Sequence, residues 1–147
     1  MSALRDPGVG LFRSMLYTDV KEVLSIEKRA HEFAWTENIL RDCIRAGYRC
    51  RVLETPHGFI QSYAVMSAAA GEAHILNLSV RPELQGRGLA RRMLDHLLEL
   101  ACTLEVQTVF LEVRPSNSRA VRLYSAVGFC EIGLRLGYYP AARGRED

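Results

Sequence analysis

The feature that most constrains this chain is a glycine turn, QGRG (85–88), between a strand-like run and a helix-like run. HILNLSV (74–80) predicts a strand, and apolar residues at helical spacing predict a helix over about 88–102. VFLEV (109–113) follows and predicts a central strand that is covered on both faces. Because such a strand–helix–strand unit closes as a right-handed crossover, we expect two parallel strands in the middle of a sheet.

The rest of the chain predicts an α/β protein with a mixed sheet, in the order β-α-α-β-β-β-α-β-α-β. The early strands are expected to form a meander, and strands then alternate with helices. The further expected elements are strands at 8–16, 48–54, 59–66 and 129–136, helices capped by Thr18, by Thr36 and by Ser116 or Asn117, and a polar, irregular tail from 137.

The composition of the 147 residues fits one globular domain, expected to span 1–147, since 48% are apolar and 24% are charged. The net charge of +2 is too small to indicate nucleic acid, and no apolar run is long enough for a membrane span. The N-terminal residues lack the apolar core of a secretory signal, which predicts a cytoplasmic protein. The four cysteines form no Cys-x-x-Cys pair and have no histidine at metal spacing, so we expect reduced thiols and no metal.

The backbone amides of the glycine turn, at the start of the expected helix, can form a nest for an anion. No Gly-Lys-Ser/Thr follows, which argues against a Walker nucleotide loop, and the glycine spacing is not that of a dinucleotide-binding turn. Arg87, Arg91 and Arg92 add positive charge, although they also fit a solvated helix face. On these residues alone, a plain strand-to-helix turn is at least as good an interpretation as a phosphate site.

Two central segments resemble a known family. VRPELQGRGLARRML (80–94) resembles the acetyl-coenzyme-A-binding motif of the GNAT N-acetyltransferases, and FLEVRPSNSRAVRLYSAVGF (110–129) resembles the next block of that superfamily. IEKRAHEFAWTE (26–37) and LRLGYYPAARGRED (134–147) are similar to segments of the bacterial ribosomal-protein alanine N-acetyltransferases. The resemblance implies the GNAT fold, a mostly antiparallel sheet with a central parallel β-α-β unit and helices on both faces.

The resemblance also implies acetyl-coenzyme A as the cosubstrate. In this family the strand at 74–80 bulges and separates from the next strand, and its exposed edge pairs with the pantetheine arm. Leu78 N–H then becomes the expected donor to the developing oxyanion, and Asn117 an expected contact of pantetheine. The expected cofactor-binding residues are Leu78, Val80, Gln85, Gly86, Arg87, Gly88, Leu89, Ala90, Asn117 and Tyr124.

Two residues are candidates for proton transfer. Glu112 is the only charge inside VFLEV, and on the residues alone a catalytic base and an edge position or ion pair are about equally good interpretations. For Tyr124, core packing with a satisfied hydroxyl is the better interpretation on the residues alone. The resemblance places Glu112 at the family's base position and Tyr124 at the position that protonates the departing coenzyme A thiolate.

On the acceptor side, the resemblance implies that Phe33, Trp35, Tyr138 and Tyr139 frame a peptide N-terminus, although loop aromatics usually pack onto the core. The expected acceptor is the N-terminal alanine of a small-subunit ribosomal protein. The alternatives are a small amine or a lysine side chain as acceptor, or a non-catalytic acyl-coenzyme-A-binding regulatory module.

This sequence departs from the family pattern at two points. The family usually has proline where this chain has Ala34. The family's Gly-Arg-Glu-Asp segment leads into a last apolar strand, which lies between the strands at 109–113 and 129–136, and this sequence stops at Asp147. We expect that a partner chain fills the gap, as in a homodimer, that the sixth strand shifts inward, or that the sequence is truncated.

Overall fold

The computed structural model describes residues 10–113 and 116–129, together with the backbone of 139–141 and 144–146. None of the helices in these residues is both long and apolar enough to cross a membrane. The elements are β1 (Leu11–Ser14), α1 (Val20–Ala30), α2 (Glu37–Arg45), β2 (Arg49–Glu54), β3 (Ile60–Ala69), β4 (Glu72–Val80), α3 (Leu89–Thr103), β5 (Thr108–Leu111), α4 (Ser118–Val127), β6 (Tyr139–Ala141) and β7 (Gly144–Glu146).

The chain consists of two compact units, 1–111 and 112–147. The first contains a five-stranded sheet in the order β1-β2-β3-β4-β5. Neighbouring strands are antiparallel from β1 to β4, whereas β4 and β5 are parallel and are connected through α3. The predicted mixed sheet with a parallel strand–helix–strand unit is therefore confirmed, while the single domain stays a prediction.

Helices cover both faces of this sheet. Successive side chains of a strand point to opposite faces, and both sets are buried in the middle of β3. On one face, Tyr63 and Val65 of β3 pack into a cluster with the buried side chains of α1 and α2, which are Val20, Val23, Ile26, Leu40 and Cys43. The intervening residues Ala64 and Met66 face the opposite side, against α3 with its buried Met93, Leu94 and Leu97.

The helix caps agree with the sequence at two of three places. Thr36 Oγ1 accepts a hydrogen bond from a backbone N–H in the first turn of α2 at 3.2 Å. Asn117, rather than Ser116, caps α4, since its Oδ1 accepts from a first-turn N–H at 3.1 Å. The prediction for Thr18 is wrong: Thr18 lies inside a short 3-10 turn, and Asp19 is the residue that precedes α1. The Asp19 carboxylate accepts from Leu16 N at 2.7 Å, and this bond stabilises the 3-10 turn that precedes α1.

The strand expected at 109–113 is shorter and less covered than predicted. β5 ends at Leu111, its side chains are half-buried or exposed, and Glu112 beyond it is exposed. Most of the strand expected at 129–136 lies outside the described residues, and Phe129 is not part of a strand. The tail is not wholly irregular, because β6 and β7 pair as a short antiparallel ribbon.

Candidate active site

Among the described strands, the second half of β4 has a partner on one side only, and its other side is called the open edge. Its pairing with β5 ends at Ile75. At the same place its pairing with β3 is interrupted, because Leu76 is an extra residue between Ile75 and Asn77. Such a bulge bends a strand and increases its local twist, which ends regular pairing with a neighbour. From Leu76 to Val80, none of the described strands pairs with the edge of β4 that faces away from β3.

The N–H groups of Leu78 and Val80 point to this open edge. On the closed side, Arg81 N donates to Gln61 O of β3 at 2.9 Å, and Ser79 O accepts from a hydroxyl of β3 at 2.8 Å. Backbone groups of successive residues alternate in direction along an antiparallel strand. The backbone groups of Arg81 and Ser79 therefore face β3, and those of Leu78 and Val80 face the open edge, where a ligand can accept from them.

The turn after β4 exposes backbone amides at the N-terminus of α3. Gly86 and Gly88 have φ values of 81° and 79°, in the left-handed region that favours glycine. Apart from the residues next to them along the chain, nothing in the described part of the chain lies within 4 Å of the position where either glycine would carry a Cβ. Gly88 provides no side-chain cap for the first-turn N–H groups of Leu89 and Ala90. Gln85 is exposed, and its Nε2 donates to Val80 O at 3.5 Å. Uncapped backbone amides at the N-terminus of a helix suit a phosphate group.

The three arginines near this turn differ in their contacts. Arg87 is exposed on the turn itself. Arg91 Nε lies 3.3 Å from Asp95 Oδ1, which partly offsets its charge. Arg92 is directed to β1, where it lies over the ring of Phe12 and its Nη2 donates to a backbone carbonyl at 3.4 Å. Arg87 therefore provides the positive charge closest to the turn in sequence, and it has no ion pair among the described contacts.

The second unit carries three of the residues expected from the sequence. Asn117 caps α4 with its side-chain oxygen. Tyr124 is half-buried on α4 and contacts Phe129 edge-to-face, with ring centroids 5.9 Å apart. Burial raises the pKa of Tyr124 above its ordinary value, so the phenol keeps its proton at neutral pH and can donate it. Glu112 is exposed, so the burial argument for a catalytic base is wrong, and its role rests on the resemblance.

The aromatic residues expected at the acceptor side have different environments. Phe33 is 44% exposed in the segment between α1 and α2. Trp35, in the same segment, is half-buried and packs against the core cluster of α1 and α2. Tyr138 and the side chain of Tyr139 lie outside the described residues. The acceptor role of these four residues stays a prediction.

The structure contains a buried polar network that the sequence interpretation missed. Its centre is the carboxylate of Glu27, which lies on the apolar face of α1, four residues after Val23. It extends through Asn77 and Ser79 of β4 to His31. A charged residue at an apolar position of a helix was a signal in the sequence, but its partners come from strands that are distant along the chain.

Comparisons with known proteins agree with this architecture. The model of the Acetyltransferase (GNAT) family matches residues 15–129. The "[Ribosomal protein bS18]-alanine N-acetyltransferase" of Salmonella typhimurium is 39% identical over 131 residues, which are 88% of this chain and 87% of the relative.

Two solved structures share the fold. The ribosomal-protein-S18-alanine N-acetyltransferase from Escherichia coli has a TM-score of 0.87 at 36% identity, covering 93% of this chain and 88% of that chain. A phosphinothricin acetyltransferase from Sinorhizobium meliloti, solved with AcCoA, has a TM-score of 0.77 at 18% identity, covering 94% and 83%. The fold and the family expected from the sequence are therefore confirmed. This chain belongs to the GNAT acetyltransferase family.

Proposed function

We propose that this enzyme transfers the acetyl group of acetyl-coenzyme A to the N-terminal alanine of ribosomal protein bS18 in the cytoplasm. The observation that carries the proposal is the open edge of β4, which leads directly into the left-handed glycines ahead of α3. This arrangement supports a ligand with an extended polar arm and a phosphate end. The choice of acceptor is supported by the names of the relatives that are 37% to 39% identical over most of the chain.

The residues around the open edge divide into two groups by what they would bind. The amides of the turn and of the first residues of α3 would hold the pyrophosphate, and Arg87 would add favourable charge. The N–H groups of Leu78 and Val80 would pair with the pantetheine arm and with the carbonyl oxygen of the thioester. Acetyl-coenzyme A supplies an acyl group that is already activated towards an amine.

Two side chains of the second unit would move protons in this reaction. The acceptor amine must lose a proton as it attacks, and we assign its acceptance to the carboxylate of Glu112, directly or through a water. The sulfur of coenzyme A must gain a proton as it departs, and we assign its donation to the hydroxyl of Tyr124. A hydroxyl whose pKa is raised by burial holds its proton until a strong acceptor forms, and a thiolate with an ordinary pKa of about 8.5 is such an acceptor.

An α-amine suits this site better than a lysine side chain. An α-amine has a pKa of about 8 and lysine one of about 10.4, so a neutral lysine at pH 7 costs about 3 kcal/mol more. An exposed carboxylate such as Glu112 is a modest base, and it suits the α-amine, which loses its proton more easily than a lysine side chain does.

A peptide panel tests the acceptor. A peptide with the N-terminal sequence of bS18 is expected to gain the mass of one acetyl group when it is incubated with enzyme and acetyl-coenzyme A. The same peptide with its N-terminus blocked but its lysines intact is the matched control and is expected to gain nothing. Acetylation of the blocked peptide or of spermidine alone would favour the lysine or small-amine alternative, and binding without any turnover would favour the non-catalytic module.

The glycines of the turn give a second test of the proposed site. Gly88→Ala places a Cβ on a residue with a φ of 79°, and the left-handed conformation costs a non-glycine residue about 1 to 2 kcal/mol. Gly88→Asn is the matched variant, because asparagine tolerates this conformation and the space beside Gly88 is open. Both variants are expected to weaken acetyl-coenzyme A binding about tenfold or more in calorimetry, since either side chain occupies the space of the phosphate.

The melting temperature separates the two roles of Gly88. Gly88→Ala is expected to lower the Tm by several degrees, and Gly88→Asn to keep it close to that of the wild type. If Gly88→Asn binds acetyl-coenzyme A as tightly as the wild type does, the glycine serves only the turn conformation and the phosphate assignment is wrong.

A further inference from the structure

A buried carboxylate that the proposed mechanism does not use lies on α1. Glu27 is 1% exposed, although carboxylates are almost never fully buried unless they are paired. Its Oε1 accepts from the hydroxyl of Tyr63 and from Asn77 Nδ2 at 2.9 Å, and its Oε2 accepts from Trp35 N at 2.9 Å. Glu27 therefore joins three parts of the chain: β3, β4 and the segment between α1 and α2.

The network continues from Asn77 to the surface, and its hydrogen-bond directions can be assigned. Because a carboxylate only accepts, Asn77 donates through Nδ2, which leaves its Oδ1 to accept from Ser79 Oγ at 2.7 Å. Ser79 has then used its hydrogen and accepts from His31 Nε2 at 2.6 Å. The His31 side chain is 40% exposed, so the network reaches solvent at the end of α1.

This network lies next to the part of β4 where the acetyl group is expected. Asn77 and Ser79 flank Leu78, whose N–H faces the open edge. Trp35 belongs to segment 31–36, which we expect to contact the acceptor. The carboxylate of Glu27 thus accepts from Trp35 N in segment 31–36 and from Asn77 Nδ2, next to Leu78.

We propose that Glu27 is a positioning residue that fixes segment 31–36 against β4 at Leu78, so that the acceptor amine is held beside the thioester. This rests on the proposed peptide acetylation and adds the group that keeps the acceptor side in place. A carboxylate suits this role because both of its oxygens accept and neither donates, so all three donors are satisfied at once. In Glu27→Gln, one acceptor oxygen becomes an amide N–H donor. With the side chain of Asn77 in its present orientation, this N–H opposes Trp35 N or Asn77 Nδ2, and one link is lost.

Steady-state kinetics of the full chain, with an N-terminal alanine peptide and acetyl-coenzyme A, test the proposal. Glu27→Gln is expected to raise the KM for the peptide about tenfold or more and to change the KM for acetyl-coenzyme A by less than about twofold. The matched control is Tyr63→Phe, which removes one donor to the same carboxylate but keeps the links to segment 31–36 and to β4. It is expected to lower the Tm and to leave the KM for the peptide unchanged.

A readout without substrate comes from Trp35, the single tryptophan of the chain. Loss of the bond from its backbone N–H is expected to loosen the segment, so acrylamide should quench its fluorescence more strongly in Glu27→Gln than in the wild type or in Tyr63→Phe. If Glu27→Gln does not fold, Asn77→Ala replaces it. This change of a half-buried side chain removes the link from Glu27 to β4 and the acceptor of Ser79 Oγ, but it keeps the bond between Glu27 and Trp35 N. We therefore expect a higher KM for the peptide with normal quenching of Trp35.

Three kinetic results would overturn the positioning role. They are a folded Glu27→Gln enzyme with the KM of the wild type for the peptide, an equal rise of the KM for the peptide and for acetyl-coenzyme A, and a rise of the KM for the peptide in Tyr63→Phe equal to that in Glu27→Gln. Unchanged quenching of Trp35 in Glu27→Gln would also contradict it. Because quenching is measured without substrate, this failure is distinguishable from a failure of the proposed function, in which the wild-type enzyme acetylates no peptide.

Discussion

Glu112→Gln is expected to lower kcat for an N-terminal alanine peptide by about 10²- to 10³-fold at pH 7, because a positioned base contributes about that much to proton transfer. The substitution keeps the size of the side chain and removes its negative charge, and with it the ability to accept the proton of the amine. Glu112 is exposed, so the loss of its charge should change the Tm little. The KM for acetyl-coenzyme A should stay the same, since we assign no cofactor contact to this residue.

The pH profile makes this prediction specific for a base. Without Glu112 the reaction depends on amine that is already neutral, and that fraction rises about tenfold per pH unit up to the amine pKa of about 8. The deficit of Glu112→Gln should therefore shrink between about pH 6 and pH 8 and then level off. Glu99→Gln, on an exposed carboxylate of α3, is the control and should behave like the wild type. A deficit that is constant with pH would mean that Glu112 orients the acceptor or a neighbouring group and does not take the proton.

The strand–turn–helix segment could be predicted from the sequence because its signals are local. The apolar run at 74–80, the glycines at 86 and 88 and the helical spacing after them are read without knowledge of the rest of the fold. The structure shows in addition that Leu76 is an extra residue in the pairing of β4 with β3, and that the pairing with β5 ends just before it. Where a parallel strand loses its neighbour depends on both strands and on the bulge between them.

Two side chains show why burial could not be predicted as well as the elements. Glu112 stands in an apolar run and was expected inside the sheet, but pairing stops one residue before it and leaves it exposed. Glu27 belongs to a helix rich in charged residues, yet its carboxylate is buried because donors from β3, β4 and segment 31–36 surround it. In both cases burial depends on neighbouring strands that are far away in the sequence, β4 for Glu112 and β3 and β4 for Glu27.

Tyr124→Phe is expected to lower kcat about 100-fold with little change in the Tm, because only the hydroxyl that protonates the departing sulfur is lost. Phenylalanine keeps the ring that contacts Phe129 edge-to-face, so packing is retained. Burial raises the pKa of Tyr124 above about 10, the ordinary value, so the hydroxyl stays protonated up to at least that pH. The deficit of Tyr124→Phe should therefore remain constant from about pH 6 to pH 9, unlike the deficit of Glu112→Gln.

The Tyr124 variant also decides between the two interpretations that the sequence left open. If the side chain only packs, Tyr124→Phe should leave kcat near that of the wild type. Tyr48→Phe, which changes a tyrosine that is 40% exposed and far from α4 in sequence, controls for the loss of a hydroxyl in general and should have no effect on kcat. Because the expected deficits of Glu112→Gln and Tyr124→Phe differ in their dependence on pH, the two profiles together assign the base and the acid. A deficit of Tyr124→Phe that shrinks between about pH 6 and pH 8, as expected for Glu112→Gln, would mean that the two proton-transfer roles are assigned to the wrong residues.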